Sequence, residues 1–220
     1  SGGVGVHNLA TFIMSGGTIG GTNSGDANNA KYGGGVNVGN NGKFNMSGGK
    51  ISGNKATENG GGMYVVGSSS TFEMTGGTIT GNTATAGNGG GIYIHFNAGN
   101  VSISNATITG NKASATGNTS YGHGGGIYSQ RGVTVKNVTI TGNNSTYEGG
   151  GIYGNGTIAL TDATVTGNNQ HDVYYGGTES TNPKLTVSGS VKAGYYANYA
   201  WKLPIFVSGA LSEDSVIRVG

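Results

Sequence analysis

The stretch Gly89 to Asn111, GGGIYIHFNAGNVSISNATITGN, holds one complete period of the chain. Ile92 and Ile94 enclose Tyr93, Val101 and Ile103 enclose Ser102, and Ile108 lies between Thr107 and Thr109. Successive side chains of an extended strand point to opposite faces, so each alternation reads as a short strand with its β-branched residues inward. One period thus predicts three strands, and nothing in it carries the spacing of a helix.

The period recurs. Triple glycines start at Gly33, Gly60, Gly89, Gly124 and Gly149, in steps of 27, 29, 35 and 25 residues, and a closing asparagine returns at Asn54, Asn82, Asn111, Asn143 and Asn168. Self-similarity at this length marks a solenoid, and three strands per repeat predict a single-stranded, right-handed parallel β-helix of roughly seven coils, stacked about 4.8 Å apart. The expected organisation is one segment over 1–220: a degenerate first coil in 1–32, regular coils in 33–168, and an irregular last coil and cap in 169–220. Because the chain opens Ser-Gly-Gly in mid-pattern, it reads as a piece of a longer protein.

Along the chain the second strand changes character. Phe12 and Met14, Phe44 and Met46, Phe72 and Met74 give way to Val101 and Ile103, Val133 and Val135, Ile158 and Leu160. After it come Gly16, Gly48, Gly76, Asn105, Asn137 and Asp162, residue types that tolerate positive φ, so a left-handed corner is expected there. Thr22 stands where the first coil should have its asparagine. After Asn168 the pattern weakens through Asp172 to Tyr175, Leu185 to Val187 and Val191, and the alternating tail Leu203 to Val219 reads as an extension or cap.

Composition bounds the function. With 48 glycines among 220 residues and 34% hydrophobic content, a narrow core is affordable but not a broad one. A net charge of +2, with 9% charged residues, leaves no basic face for a nucleic acid. No apolar run is long enough to insert this segment in a membrane. The absence of cysteine is neutral about compartment, since a solenoid is held by ladders along its axis.

The motifs Gly90-Gly-Ile-Tyr93 and Ile79-Thr-Gly-Asn82 resemble the repeats of polymorphic outer-membrane proteins and adhesin-like β-helical proteins of microbial surfaces, over about residues 30 to 168. The resemblance implies an extracellular, cell-surface passenger or stalk region taking part in adhesion, with glycans or host and neighbour-cell surface molecules as partners. It carries over no catalytic residue and no cofactor.

Four constellations could bear chemistry. Outward Tyr64, Tyr93, Tyr128, Tyr153 and Tyr174, with Asn37 in their place on the second coil, put phenol rings at one-coil spacing beside the variable loop that holds Tyr121. If the rings are free, they form a platform for sugars; if covered, a strut that stiffens the sheet. The asparagines are expected to bond to one another inside a turn. Outward pairs Thr78 and Thr80, Thr107 and Thr109, Thr139 and Thr141, Thr164 and Thr166 resemble ice-binding arrays, but Lys50 interrupts them, and β-propensity already explains threonine there. Finally, a polysaccharide lyase or glycoside hydrolase needs carboxylates gathered across adjacent coils, whereas Glu58, Glu73, Glu148, Asp162, Asp172 and Glu179 fall on different strands and loops. The chain is therefore read as a non-enzyme. No metal site is expected from His7, His95, His123 and His171, which lack a repeated spacing. Tyr195, Tyr196, Tyr199 and Trp201 read as part of a cap, and sequons such as Asn105-Ala-Thr107 and Asn118-Thr-Ser120 as products of composition. The rival to a binding segment is a purely structural stalk.

Overall fold

A computed structural model describes the chain except residues 1, 22, 24, 116, 118–119, 178–184, 198–204 and 220. Thr22, Asn118, Glu179, Tyr199 and Trp201 lie outside the described residues, as does the start of the tail at Leu203. What is described is all β, a right-handed parallel β-helix of about seven turns.

Its first stack is Val4–Val6, Val36–Val38, Met63–Val65, Ile92–Ile94, Ile127–Ser129, Ile152–Gly154 and Val173–Tyr175. Every pair in it is parallel and in register, for example Tyr64 on Tyr93 on Tyr128 on Tyr153. The second stack runs through Thr11–Met14, Lys43–Met46 and Thr71–Met74, the third through Thr18–Gly20, Lys50–Ser52 and Gly77–Thr80. In the next two coils these strands merge into Val101–Thr109 and Val133–Thr141. Alternation does what it predicts: Ile92, Ile94, Ile103, Ile108, Phe44, Phe72, Met46 and Met74 are all buried. Phe12, Phe44 and Phe72 stack with centroids 5.3 Å apart. The last coils fill the core differently, with inward Tyr175 buried in register above Gly154 and Ile158 filling the space beside that glycine.

A fourth stack joins the expected three. Asn29–Ala30, Lys55–Ala56, Thr83–Ala84, Lys112–Ala113 and Asn144–Ser145 form their own parallel sheet. Ala56, Ala84, Ala113 and Ser145 turn inward and are buried, so the variable loops that the repeat places at 55–59, 83–88, 112–123 and 144–148 each begin two residues later.

The corner after the second strand is left-handed at Asn105, Asn137 and Asp162, with φ of 50°, 52° and 48°. In the first three coils the left-handed residue is instead Gly17, Gly49 and Gly77, one position after the expected Gly16, Gly48 and Gly76. A glycine pair permits either position, while an isolated asparagine or aspartate fixes it.

The triple glycine has a steric origin. Its first member, such as Gly89 at φ 69°, is left-handed. A Cβ on Gly90 would sit 2.5 Å from the Gly125 carbonyl oxygen, and one on Gly91 would sit 2.6 Å from that of Gly126 and 3.1 Å from Asn111 Cγ. The coils approach each other too closely here for any side chain.

Candidate functional site

Beneath that glycine corner runs the asparagine ladder. Asn28 Nδ2 donates to Asn54 Oδ1, and the same bond repeats from Asn54 to Asn82, Asn82 to Asn111, Asn111 to Asn143 and Asn143 to Asn168, at 2.9 to 3.0 Å. From Asn54 onward each Nδ2 also donates to a third-strand carbonyl of the preceding coil, as Asn111 does to Ile79. The ladder ends on an acceptor: Asp172 Oδ1 takes the Asn168 backbone N–H at 3.0 Å and Nδ2 at 3.1 Å. Asp172 therefore terminates a polar column, a role the spacing of the carboxylates did not reveal.

The tyrosine ladder occupies the outer face of the first stack. Centroid separations are 5.1 Å for Tyr64 and Tyr93, 5.0 Å for Tyr93 and Tyr128, 5.0 Å for Tyr128 and Tyr153, and 5.6 Å for Tyr153 and Tyr174, with interplanar angles of 8° to 18°. In-register coils impose this spacing, because it is close to the coil rise itself. Tyr32, just before Gly33, packs 5.1 Å from Tyr64 and fills the place that Asn37 leaves. The column is thus one ring longer than alternation indicates.

These rings are not free, contrary to the expectation of an open platform. Tyr93 is 5% and Tyr128 7% exposed, Tyr174 is likewise buried, and Tyr64 and Tyr153 are half-buried. Alternation points a side chain away from the core, but neighbouring coils supply a ring above and below, and the flanking loops cover the edges. Burial pushes the phenol pKa of Tyr64, Tyr93, Tyr128, Tyr153 and Tyr174 above its ordinary value, most strongly in Tyr93 and Tyr153, where neighbouring phenols add to it. Tyr121, in contrast, is 41% exposed, and Phe96, on the loop after Ile94, is 65% exposed.

Three of the four histidines pack on this column, a grouping without any sequence period, and the fourth lies on the same face of the first coil. His7 lies beside Gly5, the ladder position of the first coil. His95 packs on Tyr64 and Tyr93, His123 on Tyr153 at 4.7 Å, and His171 on Tyr174 at 5.1 Å and Tyr196 at 4.2 Å. Glu148 lies between two of them: its backbone N–H donates to His123 Nδ1 at 3.1 Å, and its Oε2 lies 2.6 Å from His171 Nδ1.

Glu58 and Asp162 each sit alone among the described carboxylates. Glu58 pairs with exposed Lys31 at 3.2 Å, and Asp162 accepts the Ser190 N–H at 3.0 Å in its corner. Glu213 and Asp214 went unnoticed in the sequence, yet they line a cavity with Asp172 at the C-terminal end. Among the described residues no three His, Asp or Glu side chains gather in a way that would hold a metal ion. Compared with protein-family models, curated proteins and solved structures, the chain matches none.

Proposed function

We propose that this chain is a rigid display segment of an adhesin-like protein on a microbial cell surface, a rod that holds variable loops toward extracellular glycans or neighbouring-cell molecules. The observation that carries this reading is the burial of the tyrosine column. Rings covered on both faces cannot stack on a sugar, whereas each offset-stacked pair stabilises the coil junction by about 0.5–1.5 kcal/mol beyond its buried area. Two columns, one of amides within and one of phenols on the flank, tie successive coils together without a disulfide. Contacts with partners then fall to exposed loop residues such as Phe96 and Tyr121. No catalytic role is assigned.

The experiment is a glycan array probed with the chain and with its Tyr93→Ser, Tyr128→Ser double variant, alongside thermal melting of both. A strut predicts a large fall in melting temperature for the double variant, and any glycan signal should survive at temperatures where that variant is folded. Binding lost at unchanged melting temperature would return the site to the tyrosines.

A further inference from the structure

The third stack ends differently from the way it runs. In coils three to six its outward positions carry threonine pairs, in register from Thr78 and Thr80 through Thr139 and Thr141 to Thr164 and Thr166. In the next coil Lys192 and Ala193 pair with Thr164 and Val165, and the following outward residue is Gly194. The strand does not turn there. Lys192–Ala197 continues straight from the third stack into the first, where Tyr195 pairs with Val173 and Tyr196 with Tyr174. With the corner lost and no side chain at Gly194, the wall has a hollow: a cavity of about 640 Å³, within the size range of small-molecule sites.

Its lining is chemically mixed. Arg218, paired with Gly194 on the last strand, and Lys192 supply donors; Glu213 and Asp214 supply acceptors from the turn just before that strand. Asp172 stands at the inner edge, with Oδ1 committed to Asn168 and Oδ2 3.1 Å from where a Gly194 Cβ would lie. Tyr196 adds a ring edge 3.6 Å from that same point. Three carboxylates against two cations give no dominant field of either sign, unlike a pocket for phosphate or a uronate. Hydroxyl groups that donate and accept at once match such alternating donors and acceptors.

We propose that this cavity binds a neutral saccharide unit. The site goes beyond the display-rod reading, which stands whether or not the cavity is occupied. Saturation-transfer NMR on the full chain with cellotriose, chitotriose and mannotriose, and with trigalacturonate as the acidic control, tests it. Gly194→Thr restores the residue that coils three to six carry and fills the hollow; Arg218→Ala removes a donor without filling it. The expected result is transfer from at least one neutral trimer, weakened tenfold or more in both variants at unchanged melting temperature. No transfer from any neutral trimer, transfer from trigalacturonate alone, or neutral-trimer binding that neither variant alters would each overturn the assignment. If Gly194→Thr lowers the melting temperature, Arg218→Ala alone decides.

Discussion

Replacing Asn111 by alanine removes the centre of the amide column. Asn111 is 1% exposed, and its Oδ1 accepts two bonds at 3.0 Å, from the Asn82 backbone N–H and from Asn82 Nδ2. Its Nδ2 donates to Ile79 O and to Asn143 Oδ1. Asn143 Oδ1 keeps the Asn111 backbone N–H, and Asn82 Nδ2 keeps Ile51 O, so the column is not broken everywhere. The Asn82 backbone N–H, however, loses its partner in a buried turn. An orphaned buried donor costs about 1–3 kcal/mol, and the remaining lost bonds bring the expected destabilisation to about 3 kcal/mol. Asn28→Ala is the internal control: Asn28 is half-buried at the end of the column and donates one side-chain bond to its neighbour, so about 1 kcal/mol or less is expected. Urea unfolding followed by far-ultraviolet circular dichroism reads both. An Asn111→Ala variant within about 0.5 kcal/mol of the parent, or no more affected than Asn28→Ala, would refute the reasoning.

Two further substitutions follow from the same geometry. Gly91→Ala sets a methyl group 2.6 Å from Gly126 O and should destabilise by at least about 2 kcal/mol, while Gly16→Ala meets nothing within 4 Å and should stay within about 0.5 kcal/mol on the same urea curves. Asp172→Ala strips the acceptor from the end of the amide column and should cost about 1.5–3 kcal/mol, whereas Asp172→Asn, which keeps a carbonyl oxygen for Asn168, should recover most of the loss in melting temperature.

Much of this fold was legible in the sequence, for physical reasons that also mark where legibility stops. Ile92, Ile94, Ile103 and Ile108 betray their strands because alternation over three residues is visible, and Asn111 betrays its ladder because an amide repeated at one position needs a partner. The Ala113 stack was invisible, since two residues cannot show an alternation. Tyr32 joins the phenol column from outside any strand, by lying before Gly33 rather than at an alternating position. Alternation gives the direction of Tyr93 and Tyr128 but not their cover, which comes from rings and loops of other coils at distances set by stacking. Glu213, Asp214 and Arg218 meet Asp172 because the chain runs straight through Gly194 and Tyr195, a lost corner that the weakened repeat does not announce.

The tyrosine column as a buried strut is the central claim, and an alkaline titration of phenol absorbance, followed together with circular dichroism, tests it most directly. An unperturbed phenol loses its proton near pH 10. A phenol whose pKa is raised by folding keeps its proton where the unfolded chain has lost it, so its stabilisation is complete below about pH 10 and declines as the pH rises beyond that. Tyr64, Tyr93, Tyr128, Tyr153, Tyr174 and Tyr195 all shift in this direction through burial. The predicted result is a class of tyrosines that stays protonated well above pH 10 and ionises together with the loss of β structure, with stability falling throughout that range. Complete phenol ionisation in a single step near pH 10, with the β spectrum intact, would contradict it.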